Sequence, residues 1–488
     1  MDQSDHIPSI ISERVIVDGI ETPVALLADG RLRWTNGARR RCLLVEKEVL
    51  GFVTDGVNIK IKTILGAEDG CCRGSNKLVR KDFVFQPLSQ ESHMLWSQKL
   101  REYLDSLGRP KRLFIFLNPF GGNKTAPIVF RENVKPLLED AEIQFTVQET
   151  KYQLHAKEVA HALDTSKYDG IICVSGDGIL VEVINGLLER DDWETAIKIP
   201  IGVVPGGTGN GVAKSLLDSI GDPCTAVNAA LTIVRGHKRS LDVATITQGE
   251  TRFFSVLMLA WGLVADIDIE SENYRWMGSA RFDFYALNRI FHMRQYSGRI
   301  SFVPAPGFET YGVPISNPAK SIRIDSNNTS IEVEPRRLSY RGPDINLENL
   351  SWRFINGPFI SLWMNNVPWS SENVMAAPKA QFSDGYVDLV ITKNCPRLHL
   401  LSAMSDMSNG GHVRSPYVMY LKVKALFLEP GPRLEEQEKG GIIDVDGEVL
   451  ARGKGTYECD KKSLMTYDQL LVTVEQGLPR SRSLVVAH

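Results

Sequence analysis

The chain has 488 residues, 43% of them hydrophobic and 24% charged, with a formal net charge of −3. That length implies two or three domains with room for a sizeable core, and the balance is ordinary for a folded soluble protein. The near-neutral charge supplies no global field for nucleic acid or an anionic surface, so no nucleic-acid partner is expected.

The seven cysteines, Cys42, Cys71, Cys72, Cys173, Cys224, Cys395 and Cys459, form no CxxC pair. An odd, scattered set favours reduced thiols in a cytosolic setting over a disulfide framework or zinc site. The start, Met1 to His6, is polar and acidic, unlike a secretory or transit peptide, and Asp2 stands where myristoylation needs glycine. No apolar run approaches the ~20 residues that span a bilayer. The expected location is cytoplasmic, with peripheral contact to membranes if the substrate is a lipid.

From about 10 to 90, short apolar runs alternate with turn signals such as Asp29-Gly30, Asn36-Gly37 and Asp55-Gly56. Arg14–Val17, Thr22–Leu27, Arg31–Trp34, Cys42–Val45, Val49–Val53, Ile59–Ile64 and Asp82–Phe85 read as strands. Ser92 to Leu107 changes period, with Leu95, Leu100, Tyr103, Leu104 and Leu107 on one helical stripe and Trp96 beside it. Seven strands and a Trp-bearing helix over 10–108 resemble a pleckstrin-homology-like β-sandwich. Its dense basic run, Arg39-Arg40-Arg41, reads most simply as a solvated turn.

Arg109-Pro110-Lys111-Arg112 reads as a domain joint. Beyond it, Leu113–Leu117, Gln144–Gln148, Gly170–Val174 and Ile199–Val204 are strand-like. Helical patterns at Val129–Leu138, Ala156–Leu163 and Ile179–Leu188 alternate with them. The βαβαβαβ order predicts an open parallel sheet over 111–240 with ligands outside the carboxyl ends of its strands. After Leu241 strand-like runs dominate: Asp242–Thr247, Phe253–Leu259, Arg299–Phe302, Phe359–Met364, Tyr386–Ile391 and Val418–Leu428. Two helical patterns, Ser279–Met293 and Arg397–Met407, interrupt them, so 241–478 reads as a mainly antiparallel β domain. Residues 304–350 lack periodicity and read as a variable insertion, with Asn327-Asn328-Thr329 a chance glycosylation match. Arg480 to His488 reads as a loose tail.

Glycine-rich segments sit at the expected strand ends. Asn118-Pro119-Phe120-Gly121-Gly122 offers an amide to a nucleotide, or closes an Asx turn. Lys124 adds a charge for phosphate, or is simply solvated. Ser175-Gly176-Asp177-Gly178 places a carboxylate at a helix start, where it can take the proton of an attacking hydroxyl. Glu182 follows on the first turns of that helix. Gly206-Gly207-Thr208-Gly209-Asn210 lacks both the P-loop and the GxGxxG spacing, yet its glycines suit a backbone phosphate cradle. Asp266 and Asp268 would share a face if they lay on a strand, a costly pairing unless a cation or ligand lies between them. Arg275 and Arg281 follow as phosphate clamps or as partners for those acids. Asp444-Val445-Asp446-Gly447-Glu448 reads as a tight acidic turn suited to Mg²⁺, or as a hairpin with exposed acids.

Together these stretches resemble the diacylglycerol-kinase-like lipid kinase superfamily over about 110–475. The segments Ser175 to Leu187 and Leu259 to Glu272 are most similar to the sphingosine kinase family. The resemblance implies ATP and Mg²⁺, a sphingoid base as acceptor, and peripheral membrane contact; a homodimer stays open. It implies Asp177 as base and, with Asp268, as part of the lipid-head site. It places Asn118, Gly121, Gly122, Thr150, Ser175, Gly176, Gly178, Gly206, Gly207, Thr208, Gly209, Asn210, Arg275, Arg281, Gly447 and Glu448 around the nucleotide. Asp446 would lie near the phosphates and the metal. Leu263, Val264, Ile267, Met407 and His412 would follow the lipid tail. The chain departs from the family pattern at Asn123-Lys124-Thr125, where further lysines and a glycine are usual. The amino-terminal domain is similar to that of ceramide kinase, but the Asp268 stretch suits a cationic amine rather than an acylated one.

The expected fold is therefore an α/β nucleotide-binding domain with a parallel sheet, a mainly antiparallel β-sandwich lipid domain, and an amino-terminal pleckstrin-homology-like sandwich. The expected activity is transfer of the ATP γ-phosphate to the primary hydroxyl of sphingosine and related long-chain bases. A ceramide or diacylglycerol kinase and a non-catalytic lipid-binding adaptor are the alternatives.

Overall fold

The structure is a computed structural model. It describes residues 7–36, 39–66, 78–122, 124–316, 339–457, 463–475 and 484–487. Gly37, Cys71, Cys72, Asn123, Cys459 and Asn327-Asn328-Thr329 lie outside the described residues. The remaining cysteines, Cys42, Cys173, Cys224 and Cys395, are free thiols.

The amino-terminal unit is built from two antiparallel meanders. Ser9–Val17, Ile20–Leu27, Arg31–Asn36 and Arg39–Leu44 form the first; Val49–Asp55, Asn58–Gly66 and Leu78–Pro87 form the second. The first and last strands join them, with Val15 opposite Pro87. Each of the seven sequence candidates falls on one of these strands, except that Val45 begins the short helix Val45–Glu48. The helix Gln90–Ser106 begins where the Ser89 hydroxyl accepts from Ser92 N at 3.1 Å, an N-cap that satisfies one orphan amide. Its buried face, Trp96, Leu100 and Leu104, packs on Trp34, Phe83 and Phe85. Arg109 ties this unit to the next by donating to the carbonyls of Val49 and Leu50, both at 2.9 Å.

The second unit carries a six-stranded sheet. Gln144–Glu149, Arg112–Leu117, Gly170–Ser175, Ile201–Pro205 and Leu484–Ala487 run parallel in that spatial order, and Lys238–Leu241 closes the edge antiparallel. Runs such as Leu-Phe-Ile-Phe-Leu at 113–117 are buried along their whole length because helices cover both faces. The strand Leu484–Ala487 corrects the expectation of a loose tail at 480–488: its backbone fills the place between the fourth strand and the edge. The first crossover runs outward to Gln144–Glu149 and the next returns to the other side at Gly170–Ser175. The resulting switch point opens a crevice between the loops after Leu117 and Ser175.

The third unit is a curled antiparallel sandwich of twelve strands. Trp261, Tyr296, Phe302 and Phe359 are buried in its core. The expected strand at Phe253–Leu259 is broken into Thr251–Ser255 and Met258–Gly262. Val256 and Leu257 turn between them and give their amides to Asp446. The expected variable insertion is anchored at its far end, since Tyr340 donates its amide to Leu188 O at 3.0 Å and packs its ring on Trp193 at 4.6 Å. No helix among the described residues is long and apolar enough to cross a membrane.

Candidate active site

Three loops meet at the crevice, and glycine is what lets them meet. A Cβ on Gly207 would lie 2.4 Å from both the Cα and N of Gly176, and one on Gly176 would lie 2.6 Å from Gly209 O. One on Gly122 would lie 2.9 Å from Thr208 N. The backbones are thus in direct contact, with no room for side chains. Asn118 closes its own turn, its Oδ1 accepting from Phe120 N at 3.0 Å and Gly121 N at 3.1 Å, with the Thr150 hydroxyl at 3.4 Å.

Asn210 folds the third loop from inside. Its Oδ1 accepts from Gly206 N and Gly207 N, and its Nδ2 donates to Gly207 O and to the Glu372 carboxylate at 2.6 Å. The amides of Gly206 and Gly207 are therefore engaged within the loop, which corrects the expectation that they cradle phosphate.

Asp177 is the first residue of the helix Asp177–Leu188. Its carboxylate accepts from Gly211 N at 2.7 Å and Val212 N at 3.1 Å, at the start of the helix Gly211–Asp218. Burial pushes the carboxyl up to about 6, against the pull of those two amides. It is mostly ionised at neutral pH, yet poised to take a proton. Glu182, one turn on, is pushed up to about 7 by burial and accepts from Leu154 N and Ala156 N, both at 3.0 Å. It caps the helix His155–Ala162 while also lining the crevice.

Asp266 and Asp268 lie on a helix, Leu263–Glu270, rather than a strand. Gly262, at φ 84°, turns the strand Met258–Gly262 sharply into it; a Cβ there would also lie 2.5 Å from Ile360 O. The helix separates the two acids. Asp266 points inward, where Tyr296 Oη donates at 2.7 Å and Arg294 at 3.1 Å. Burial raises its carboxyl, opposed by Arg294. Leu263, Val264, Ile267 and Asp268 face the crevice instead. The Asp268 carboxylate has no cationic partner among the described residues.

Asp446 does not follow the alternative of a hairpin with exposed acids. With Gly447 it forms the two-residue turn between Ile442–Val445 and Glu448–Arg452, both at positive φ (53° and 83°). Its buried Oδ1 accepts from Ser255 Oγ, Leu257 N and Met258 N, and Oδ2 accepts from Val256 N at 3.2 Å. Burial pushes it up to about 7. Glu448 accepts from Gln153 at 2.8 Å across the domain boundary.

These loops and helices enclose one continuous cavity of about 1000 Å³ between the second and third units. Asn118, Gly121, Gly122, Thr150, Gly176, Asp177, Gly178, Gly207, Thr208 and Gly209 line it from the second unit. Asp268, Arg281, Asp446, Gly447 and Glu448 line it from the other. Its deep end is apolar, with Leu263, Val264, Ile267 and Met407 beside Leu400 and Met404. His412 also lines it, with Nε2 3.1 Å from Ala376 O and its basicity lowered by burial.

Residues 112–246 match the model of the diacylglycerol kinase catalytic domain, and residues 360–466 match that of the YegS C-terminal NAD kinase beta sandwich-like domain. Sphingosine kinase 1 of Arabidopsis thaliana is 60% identical over 98% of this chain and 97% of its own length. The chain belongs to the sphingosine kinase family. Sphingosine kinase 2 of the same plant is 58% identical over 96% of each chain. Sphingosine kinase 1 of Homo sapiens is 32% identical over 70% of this chain and 87% of its own length.

Five residues considered for the site of this sphingosine kinase family member fall elsewhere or are not described. Ser175 turns its hydroxyl onto Gly176 O, and Gly206 and Asn210 sit behind the loop surface. The Arg275 side chain lies outside the described residues. Lys124 is exposed and off the cavity wall. Arg281 lines the cavity with its guanidinium over the Phe282 ring at 4.4 Å, so the cation on Asp266 is Arg294, not Arg281. Glu372 and Gln153 were missed, because neither stands in a motif. The Arg294 clamp had a readable signal, since Asp266 and Glu270 are four apart on one helix face.

Proposed function

We propose that this protein is an ATP-dependent sphingosine kinase, phosphorylating the primary hydroxyl of sphingosine and related long-chain bases. The observation that carries the reading is a single cavity holding two acids of different character. Asp177 lies at the glycine loops, and Asp268 lies across from them with no cationic partner among the described residues. Asp177 accepts the proton of the attacking hydroxyl while that oxygen bonds the γ-phosphorus and ADP leaves. Asp268 holds the ammonium group of the base by a charge-assisted hydrogen bond. An acylated amine carries no charge for it, which disfavours ceramide.

The donor set suits a Mg²⁺ carried by nucleotide phosphates more than a resident ion. Among the described residues no group of three metal-ligating side chains is assembled. Asp446 Oδ2 accepts one protein hydrogen bond and keeps lone-pair capacity on the cavity wall. When bound, Mg²⁺ neutralises charge developing on the transferred phosphoryl. Arg281, Thr208 and the amides of Gly178 and Gly209 are the groups assigned to the nucleotide.

A membrane-visiting enzyme fits the outer face of the helix Ala280–Phe291. Ala286 and Ile290 line the cavity, whereas Phe284, Leu287 and Phe291 form an exposed stripe, with Trp276 83% exposed nearby. The meanders and capping helix over 10–108 support a pleckstrin-homology-like reading of the first unit. The test is a radiolabel transfer assay over sphingosine, ceramide and diacylglycerol. Sphingosine is the expected acceptor, and preference for either acylated lipid would overturn the substrate assignment.

A further inference from the structure

Behind the helix that presents Asp268 lies a buried set of charges the reaction itself does not use. Asp266 and Glu270 are buried on the face opposite the cavity. Arg294, just before the strand Tyr296–Pro304, reaches both with one nitrogen, Nη1, at 3.1 Å to Asp266 and 2.8 Å to Glu270. Tyr296 adds a hydrogen bond to Asp266 at 2.7 Å from the sandwich core, and Tyr285 adds one to Glu270 at 2.6 Å from the helix Ala280–Phe291. Three elements are thus pinned to the back of one eight-residue helix.

A helix this short has little stability of its own. The Gly262 bend leads it straight into a cavity wall, so its pitch and rotation are set by what grips its buried face. A turn of one residue about its axis would carry Asp268 off the wall and bring Asp266 toward it. We propose that Arg294, with Tyr285 and Tyr296, is a positioning unit that fixes the rotation of the helix Leu263–Glu270 and so places Asp268 for the lipid head. The inference rests on the reading of Asp268 as the amine-binding acid. Buried ion pairs are weak contributors to net stability, and in some proteins they specify one arrangement, which is the use proposed for this one.

The test is steady-state kinetics on the full chain with sphingosine and ATP varied separately. Tyr285→Phe and Tyr296→Phe each remove one hydroxyl and keep the ring, so the fold survives. Each is expected to raise KM for sphingosine about fivefold, the effect of one ordinary hydrogen bond, with KM for ATP unchanged. Arg294→Met is expected to raise it further, and Arg294→Lys to recover part of the loss. Asp268→Ala is measured alongside. If it leaves the sphingosine KM unchanged, the amine-binding reading fails and this inference with it. If it raises that KM while both tyrosine variants match wild type, the positioning unit is refuted alone. Equal rises in the two KM values would also refute it, because a merely structural role loosens both sites.

Discussion

Replacing Asp177 by Asn separates its chemical role from its structural one. Raising the carboxyl from an ordinary 3.8 to about 6 corresponds to about 3 kcal/mol of penalty on the charged form in the folded state. The sign follows from the direction. The folded protein holds this proton more tightly than the unfolded chain. The associated stability is fully present below about pH 3.8 and is lost as pH rises through about 6. Asn carries no charge, so the variant escapes that loss. It also presents an NH₂ where Oδ1 or Oδ2 accepted from Val212 N or Gly211 N, stranding one amide at a cost of about 1–3 kcal/mol at every pH. The two effects nearly cancel at neutral pH, so Asp177→Asn should fold with a Tm close to wild type. The difference in unfolding free energy, variant minus wild type, should rise by about 2–2.5 kcal/mol between about pH 4 and 7. Urea unfolding across that range reads it directly. In the transfer assay kcat should fall by about 10²–10⁴-fold, the usual worth of a general base. A kcat within threefold of wild type refutes the base assignment. A flat stability difference refutes the burial account of the raised carboxyl.

The remaining predictions draw on other walls of the cavity. Asp268→Ala should leave stability within about 0.5 kcal/mol, because no described cation is stranded. It should also weaken sphingosine roughly ten- to hundredfold, as for a lost charge-assisted hydrogen bond, with ATP KM as the control. Gly207→Ala should destabilise by at least about 1–3 kcal/mol and raise the ATP KM. Its new methyl meets the Gly176 backbone at 2.4 Å, which no rotamer change relieves; an unaltered Tm would contradict the loop contact. Glu372→Ala should raise the ATP KM by releasing Asn210, and Glu372→Gln, which keeps an acceptor for Asn210 Nδ2, should restore it; a Gln variant as impaired as Ala would argue against that tie. Phe284→Ser with Phe291→Ser should reduce sedimentation with lipid vesicles while leaving kcat on detergent-dispersed sphingosine unchanged. Undiminished vesicle binding would remove the membrane role of that stripe.

What was legible in the chain is what local physics dictates. The apolar runs at 113–117 and 170–174 announced buried parallel strands, because a strand covered on both faces cannot alternate. Glycines after Ser175 and Pro205 marked where backbone must approach backbone. The seven amino-terminal strands followed from two-residue periodicity and turn residues. The stretch Leu259 to Glu272 carried its family resemblance in residue identity alone. Tertiary structure decided how those pieces were used. Asp266 and Asp268 are two apart in sequence, yet one is buried against Arg294 and the other faces the cavity, a division that depends on Gly262 starting a helix rather than extending a strand. Asp446 became a buried brace, not an exposed turn, because the bend at Val256 and Leu257 brings four donors to it. Asn210 is tied to Glu372, 162 positions away, and Leu484–Ala487 completes a sheet begun more than 360 residues earlier. Such contacts have no local signature. They arise when separate hydrophobic faces pack, and only then does a polar side chain acquire its partner.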